Sequence, residues 1–344
     1  MQDPEQTRQY QRLTATWGIF PLKNWTVITI RGADRTSFLH NMCTQEIRQR
    51  APGHGCELFL TDVKGHLIGH LFLQVGDHEL RLLAVPGQAS AILQHLDRYI
   101  IREDVVLADE TGQWSSLLVL GREAGTRLTG LAENGPPEGL SILKQPWQST
   151  RLVPANNPSE RPFWQVARTD WLKVPCYLLQ APANLPGSSP IQPGPPAEIC
   201  QALAAAGAQH CSTAVWNALR IESGLPLWNV DFSQANLPQE VARNEQAISF
   251  RKGCYLGQET IARIDALGHV NRQLTTLRFD GHQIPGIGTP LRAKDKQVGT
   301  VTSACWSPAW NGPLALAMVG SDQQAPGTPM DSEVGTASVL PMKY

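Results

Sequence analysis

Long apolar runs, an excess of basic charge and a leader-like N-terminus are all missing from this sequence. No stretch approaches the roughly 18 uninterrupted apolar residues that a membrane-spanning helix needs. The polar segment from Met1 to Arg12 does not resemble a secretory signal peptide. Lys and Arg total 29 against 30 Asp and Glu, whereas general binders of nucleic acid or membrane surfaces are usually clearly basic. These absences predict a cytoplasmic protein that binds neither membranes nor nucleic acid directly.

Cysteine pairs spaced for a metal site or a disulfide framework are missing as well. The seven cysteines are odd in number and scattered, and no two of them form a C-x-x-C pair. Such a set suits a reducing compartment, and no metal or cluster held by this chain alone is expected. The seven positions are Cys43, Cys56, Cys176, Cys200, Cys211, Cys254 and Cys305.

The sequence does have enough length and apolar content for a multidomain fold. Its 344 residues, of which 42% are hydrophobic, suit two or three domains. In the first third of the chain, segments of strand periodicity alternate with segments of helical periodicity, which predicts an α+β domain. Strands are predicted over 25–31, 79–85 and 116–120, and two more within 56–75 flank a turn at Lys64-Gly65. One helix is predicted to begin at Asp34 and a second to span 88–99.

Proline and glycine divide the rest of the chain. The segments 133–139 and 181–197, the second with six prolines, are predicted to be loops, because proline is excluded from helix interiors and central strands. Helices are predicted over 198–206 and 213–223. From Arg272 onwards, short apolar segments alternate with Gly/Pro turns, which is typical of a small antiparallel barrel.

Chemically informative residues concentrate between Arg220 and Arg272. Glu222 lies near the end of the helix predicted over 213–223, just before a glycine stop, where its carboxylate can project into a cleft. A carboxylate accepts two parallel hydrogen bonds from a guanidine-like edge, and the N3–H and 2-amino group of a pterin form such an edge. The alternative is an ion pair between Glu222 and a nearby arginine, and the residues alone leave both interpretations open.

The segment 251–259, which reads Arg-Lys-Gly-Cys-Tyr-Leu-Gly-Gln-Glu, carries a second signal. Gly253 is predicted to adopt a positive φ in a sharp turn, and 258–265 is predicted to be a helix. Cys254 then lies just before the N-terminus of that helix, with Arg251 and Lys252 close in sequence, and the helix dipole and the positive charges both favour a thiolate. Cys254 is therefore a candidate reactive thiol, with a buried, inert cysteine as the alternative.

These residues also resemble those of a known family. Residues 252–259 are similar to the K-G-C-Y-x-G-Q-E signature of the YgfZ family, which belongs to the folate-binding superfamily of the glycine-cleavage T-protein, an aminomethyltransferase. Residues 31–34 resemble the opening of that superfamily's fold, and 299–303 resemble its C-terminal barrel. The resemblance therefore runs from about residue 17 to about residue 340.

The fold implied by this resemblance is an α+β, T-protein-like arrangement of three domains around a central folate-binding channel. Two interleaved α+β domains would occupy 1–265, with a Pro-rich loop near 181–197, and a C-terminal β-barrel domain would occupy 272–344. The implied function is that of a tetrahydrofolate-binding accessory protein that supports assembly or repair of iron–sulfur proteins, including enzymes that modify tRNA. Its partners would be iron–sulfur proteins or cluster-assembly factors.

The resemblance also implies roles for individual residues. Cys254 would be the functional thiol, and Glu222 stands where T-protein-like members place the carboxylate that holds the pterin. Tetrahydrofolate or a derivative is the implied cofactor. The further residues expected to bind it are Lys252, Gly253, Tyr255, Gln258, Arg263 and Arg272, with the two arginines as partners for a glutamate tail.

One departure separates the chain from aminomethyltransferases. Those enzymes carry an acidic pair after a glycine-containing turn, whereas this chain has Gly69 and His70 at the corresponding positions. His66 and His70 can in principle act as acids or bases, but surface or packing roles are expected for them. The departure argues against aminomethyltransferase activity. A folate-dependent aminomethyl or one-carbon transferase is kept as the alternative function, beside a scaffold that binds no small ligand.

Overall fold

The computed structural model of the chain describes residues 3–132, 139–153, 163–183 and 197–341, and within these ranges it contains eight α-helices and seventeen β-strands. The helices are α1 (Pro4–Ala15), α2 (Arg35–Met42), α3 (Ala89–Asp97), α4 (Ala124–Gly130), α5 (Ala197–Ala205), α6 (Thr213–Glu222), α7 (Asn244–Ala247) and α8 (Gln258–Leu267). The strands are β1 (Gly18–Pro21), β2 (Thr26–Arg31), β3 (Gly55–Thr61), β4 (Leu67–Val75), β5 (Leu80–Ala84), β6 (Val106–Asp109), β7 (Trp114–Leu120), β8 (Ser149–Leu152), β9 (Trp164–Thr169), β10 (Cys176–Pro182), β11 (Gln209–His210), β12 (Arg272–Phe279), β13 (Pro290–Ala293), β14 (Lys296–Ser307), β15 (Gly312–Gly320), β16 (Pro329–Ser332) and β17 (Gly335–Val339). None of the described helices is long and apolar enough to cross a membrane.

Two mostly antiparallel sheets are interleaved along the chain. Strand β1 joins a six-stranded sheet of order β11-β1-β7-β10-β9-β8, in which only the β1–β11 pair is parallel. The chain then leaves this sheet to build the five-stranded sheet β3-β4-β5-β2-β6, and β7 returns to the first sheet. Every residue of β3 and β5 is buried, which means that both faces of these strands are covered.

The last six strands close into an antiparallel barrel of order β12-β15-β14-β13-β16-β17, which confirms the barrel predicted from Arg272 onwards. Its apolar interior includes Phe279 and Met330. Helix α6 packs on the outside of the barrel, where Ala218 and Ile221 join a cluster with residues of β14 and β15. This packing places the C-terminal end of α6 against the barrel wall.

Most predicted elements of regular structure are confirmed. The strands predicted within 25–31, 56–75, 79–85 and 116–120 correspond to β2, β3, β4, β5 and β7, and the helices predicted over 88–99, 198–206 and 213–223 correspond to α3, α5 and α6. Asp34 stands at the N-cap of α2, as predicted. Its carboxylate accepts the backbone N–H of Asp104 at 2.8 Å, however, and makes no capping hydrogen bond with the helix.

The two predicted loops fall largely on positions that the structure does not cover. Residues 133–138 and 184–196 lie outside the described residues. The prediction that 181–197 contains no central strand is wrong at its start, because β10 continues to Pro182, which pairs with Trp114. Proline is tolerated there because it is the last residue of the strand, where the missing N–H interrupts no further ladder hydrogen bonds.

Helix α1 is an element that the sequence did not predict, because its residues are mostly polar. Local capping favours it: the Asp3 carboxylate accepts the Glu5 N–H at 2.9 Å, and Pro4 occupies the first turn. Leu13 is fully buried and fixes the helix to the core. Helix α1 thereby lies against α6, which matters for the site described next.

Candidate functional site

Glu222 is presented by the C-terminal end of α6. The helix begins where the hydroxyl oxygen of Ser212 accepts the Val215 N–H at 3.4 Å. It stops after Glu222 because the chain turns at Gly224, which has a φ of 68°. Burial of the α6 residues against the barrel leaves Glu222 only 8% exposed. The predicted position of this carboxylate at a helix end is therefore confirmed.

Two hydroxyl groups from distant parts of the chain hold the Glu222 carboxylate. The Tyr10 hydroxyl donates to Oε2 at 2.6 Å, and the Ser307 hydroxyl donates to Oε1 at 2.5 Å. Burial raises the pKa of Glu222, and these two hydrogen bonds oppose the rise. No arginine pairs with Glu222 among the described residues, so the ion-pair alternative is wrong. Arg220 instead pairs with Asp231 at 3.0 Å.

Glu222 lines one of two adjoining cavities. The first, of about 160 Å³, lies between Glu222 and the barrel strands β12 and β15. The second, of about 440 Å³, is lined by the loop between β9 and β10 and by Arg243. Lys173 and Ser223 belong to the walls of both cavities, which makes them neighbours. A buried carboxylate thus lines the first cavity, Lys173 lies at the boundary of the two cavities, and Arg243 lines the second.

The second cavity contains an acid that the sequence analysis missed. Asp170 follows β9 and lines the cavity, and its Oδ1 has no hydrogen-bond partner among the described residues. Burial and the charge of Glu57 raise the pKa of Asp170, whereas Arg243, 3.9 Å away from its Oδ2, opposes the rise. No sequence motif marks Asp170, because its environment is assembled from segments far apart in the chain.

A buried ionic cluster lies behind Arg243. Its guanidinium donates from Nε to Oε1 of Glu57 at 2.9 Å and from Nη2 to Oε2 at 2.5 Å, while His70 Nε2 contacts Oε1 at 2.7 Å. Burial alone would raise the pKa of Glu57, but Arg243 and His70 outweigh it and hold that pKa at about 2. In the sequence, this buried cluster is signalled by Glu57, a lone acid inside the largely apolar strand β3.

The histidines occupy the surface and packing positions that were expected for them. The ring of His70 lies 5.0 Å from that of Phe59 and 4.8 Å from that of Phe72, and the residue is 4% exposed. Its ring is therefore fixed by packing as well as by Glu57. His66 is 44% exposed and lies 3.8 Å from Asp62. Gly69 faces helix α3, where an added Cβ would lie 3.5 Å from Ile92.

The signature loop 251–259 is anchored by Lys252. Its ammonium group donates to the backbone carbonyls of His40, Cys43 and Gln45 at 2.6, 2.7 and 3.0 Å, which uses all three of its hydrogens. Burial lowers the pKa of Lys252. The same ammonium lies 4.9 Å from the centre of the Tyr255 ring. Lys252 thus ties the loop to the segment that follows α2.

Gly257, rather than Gly253, makes the sharp turn before α8. Gly257 is the N-cap residue with a φ of 81°, and a Cβ there would overlap the backbone oxygen of Asp62. The prediction of a positive φ at Gly253 is wrong: this glycine is not among the positive-φ residues, and its surroundings are open. The close approach of the β3–β4 turn is what requires glycine, and that approach occurs at Gly257. The helix predicted over 258–265 is confirmed as α8.

Cys254 projects from this loop as an exposed thiol. The buried alternative for Cys254 is wrong, because the other cysteines are buried or half-buried and Cys254 alone is exposed. All seven thiols are free. Within the described ranges, no group of three or more His, Cys, Asp or Glu side chains is arranged to hold a metal ion.

Exposure predicts selective labelling of Cys254. We expect one equivalent of iodoacetamide to modify Cys254 at neutral pH before any other cysteine of the native protein reacts, because the reagent must reach the sulfur. Mass spectrometry of tryptic peptides after a short reaction measures this order. A Cys254→Ser variant is the control and should show only slow labelling. Equal labelling of several cysteines in the native protein would contradict the prediction.

The remaining predicted folate contacts do not converge on the two cavities. Gln258 accepts the Tyr255 N–H through Oε1 at 3.1 Å, so it stabilises its own loop. Arg272 donates to Glu240 at 3.1 Å, and Arg263 is exposed on α8. The described walls of the two cavities include neither arginine and no residue of the signature loop. The structure therefore separates the buried carboxylate from the exposed thiol.

Comparison with known proteins places this architecture among relatives. The family described as the glycine cleavage T-protein C-terminal barrel domain matches residues 272–343. The tRNA-modifying protein YgfZ of Klebsiella pneumoniae is 26% identical over 350 residues, which cover 99% of this chain and 96% of that protein. YgfZ of Escherichia coli is 27% identical over 308 residues, with coverage of 88% and 84%.

T-protein relatives share the same fold. An aminomethyltransferase of Streptomyces avermitilis is 24% identical over 318 residues, which cover 90% of this chain and 80% of that enzyme. The crystal structure of the glycine cleavage system aminomethyltransferase T from Bartonella henselae superimposes with a TM-score of 0.79 at 18% identity, and covers 98% of this chain and 88% of its own. The chain is therefore similar to the YgfZ proteins over nearly its whole length, its residues 272–343 match the T-protein C-terminal barrel family, and it has the fold of the glycine cleavage system aminomethyltransferase T.

Proposed function

We propose that this protein binds tetrahydrofolate or a derivative in the two adjoining cavities, with Glu222 receiving the amino–amide edge of the pterin. The observation that carries the proposal is the state of Glu222: a buried carboxylate that lines a cavity and is held by one hydroxyl on each oxygen. An ionised carboxylate has about four lone-pair sites. Tyr10 and Ser307 therefore orient Glu222 and leave acceptor capacity for a ligand.

The second cavity suits the other end of such a ligand. Reduced folates carry a glutamate tail, and two basic residues line the second cavity: Arg243, and Lys173 at its boundary with the first cavity. Charge-assisted hydrogen bonds from such groups to a carboxylate are among the stronger polar contacts in proteins. We therefore assign the tail to Lys173 and Arg243. The folate contacts predicted from the sequence for Gly253, Tyr255, Gln258, Arg263 and Arg272 remain predictions, and Lys252 is assigned here to anchoring the loop.

The second part of the proposal is a role in assembly or repair of iron–sulfur proteins, including enzymes that modify tRNA. Relatives that match nearly the whole chain are named tRNA-modifying proteins. An exposed thiol on a loop with a fixed backbone is suited to contact with a partner protein, and Cys254 has that position. We assign Cys254 to this contact. An aminomethyltransferase function is disfavoured, because Gly69 has no functional group and His70 is held by Glu57.

Replacement of Glu222 by glutamine tests the folate site. Glu222→Gln turns one acceptor oxygen into a donor that opposes the pterin N–H groups, so we expect binding of tetrahydrofolate to weaken roughly tenfold to hundredfold. Anaerobic isothermal titration calorimetry of the full chain measures the change. Glu259→Gln, an exposed position outside both cavities, is the matched control. Absence of binding to the unmodified protein, or equal affinity in Glu222→Gln, would overturn the proposal.

A further inference from the structure

A third cavity, of about 620 Å³, is lined by residues of both the five-stranded and the six-stranded sheet. One side is formed by the ends of β4 and β5, and the other by β8 and β9. It shares no described lining residue with the two cavities near Glu222. Its volume is within the range of roughly 300–1,000 Å³ that small-molecule sites occupy, and such sites are common where domains meet.

Gln74 brings an unpaired side-chain amide to the wall of this cavity. The side chain lies on β4, is 3% exposed and lines the cavity. Neither its Nε2 nor its Oε1 has a hydrogen-bond partner among the described residues. Leaving a buried amide unpaired costs free energy, and a ligand that pairs with it removes that cost. A primary amide offers a donor beside an acceptor, so the complementary ligand carries the same pair in one plane.

Planar groups also line the cavity. Arg81, its cross-strand neighbour on β5, stacks its guanidinium 3.4 Å above the Trp114 ring and donates to Gln165 at 2.8 Å. Across the cavity, the guanidinium of Arg151 lies 4.7 Å from the centre of the Phe163 ring. Guanidinium and aromatic planes are surfaces on which a flat ring stacks favourably.

The charges of the described lining residues cancel. Arg81 and Arg151 contribute two positive charges, and Asp77 and Glu79 contribute two negative ones. Glu79 is also paired with Arg81 at 2.5 Å. No net charge is left to attract an anionic ligand, so an uncharged ring is favoured.

We propose that this cavity binds an uncharged planar heterocycle with adjacent hydrogen-bond donor and acceptor groups, such as a purine or pyrimidine base, and that the Gln74 amide reads that edge. The pairing is the one by which glutamine side chains recognise the N6 and N7 edge of adenine. The site is independent of Glu222 and of Cys254. It adds a second small-molecule site to the chain.

Adenosine and uridine are the probes for this site. Saturation-transfer NMR and calorimetry of the full chain should show that at least one of them binds with a dissociation constant in the millimolar range or below. In Gln74→Leu, binding should weaken about tenfold while the thermal midpoint stays equal or rises, because an apolar side chain replaces an unpaired buried amide. A glutamine that serves only the fold would instead lower the midpoint when replaced. Gln94→Leu, an exposed glutamine on α3, is the control.

A second variant guards against misfolding of the first. Gln74→Glu keeps the shape of the side chain but removes its donor, and it should also weaken binding about tenfold. If neither nucleoside binds the unmodified protein at millimolar concentration, the proposal is wrong. It is equally wrong if both Gln74 variants fold and bind as well as the unmodified protein. Glu222→Gln should leave nucleoside binding unchanged, which keeps this test separate from that of the folate site.

Discussion

Replacing Arg243 with methionine is expected to lower the free energy of unfolding by about 3–5 kcal/mol at pH 7. Arg243 donates two hydrogen bonds to Glu57, and both side chains are almost fully buried. Without the guanidinium, His70 is the one partner that the Glu57 carboxylate keeps among the described residues, in a low-dielectric interior. Urea denaturation followed by circular dichroism measures the loss. A change below about 1 kcal/mol would show that this ion pair is not the main support of the buried carboxylate.

The effect of Arg243→Met should depend on pH in a defined direction. The folded-state pKa of Glu57 is about 2, below its ordinary value of 4.5. Ionised Glu57 therefore stabilises the fold fully above about pH 4.5, and this contribution is lost as the pH falls towards 2. In the variant, burial without Arg243 raises the pKa of Glu57, so protonation relieves the unpaired charge. The difference between the two proteins should narrow as the pH falls.

An exposed ion pair supplies the matched control for this experiment. Arg127 pairs with Glu123 at 2.7 Å, but the two side chains are 52% and 41% exposed. Solvent screening limits such pairs to a few tenths of a kcal/mol, so Arg127→Met should change the free energy of unfolding by less than about 0.5 kcal/mol. The comparison isolates burial as the reason for the large effect at Arg243.

The contrast between predicted and missed features has a physical basis. The barrel was predictable, because its antiparallel strands are joined by Gly/Pro turns close in sequence. Helix α6 was predictable from its apolar face and its glycine stop, and so was the place of Glu222 at its end. These features rest on local periodicity and turn chemistry, which each short segment carries by itself.

The missed features depend on contacts between distant segments. Tyr10 meets Glu222 across 212 positions of sequence, and Arg243 meets Glu57 across 186. Lys252 reaches carbonyls more than 200 positions away. A polar residue in a sequence does not reveal its partner, because many folds would satisfy its hydrogen bonds. The error at Gly253 has the same origin, since the backbone that forces a positive φ at Gly257 comes from the β3–β4 turn.

The separation of Glu222 from Cys254 changes the meaning of the signature loop. Residues 252–259 resemble the YgfZ signature, yet no residue of the loop 251–259 lines the described walls of the cavities next to Glu222. The loop is instead fixed by Lys252 to the end of α2 and the segment after it, and by the hydroxyl of Thr61 on β3, which donates to the Leu256 carbonyl at 2.7 Å. Its anchoring and its exposed thiol indicate a surface element. A ligand in the cavities and a partner at the loop would occupy different places.

Gly257→Ala should therefore abolish the function of the loop as completely as Cys254→Ser does. An alanine at Gly257 would have to keep a φ of 81° and would overlap the Asp62 carbonyl oxygen. The positive φ alone costs about 1–2 kcal/mol, and the overlap with backbone adds to it. We expect the loop to detach from the β3–β4 turn, and we expect iron–sulfur enzyme activity to fall to the level of a Cys254→Ser strain.

Gly253→Ala is the matched control, because it lies in the same loop and makes the same chemical change. Gly253 has no positive φ, and nothing lies within 4 Å of an added Cβ, so this variant should keep full activity. Proteolysis of the purified proteins separates loop order from function: Gly257→Ala should be cut near residue 257 at least tenfold faster than Gly253→Ala. If Gly257→Ala retains both resistance to proteolysis and enzyme activity, the fixed backbone of the loop is not what presents Cys254. An equal loss of enzyme activity in both glycine variants would show instead that the loop tolerates no side chain at either position. The turn at Gly257 would then not explain the loss.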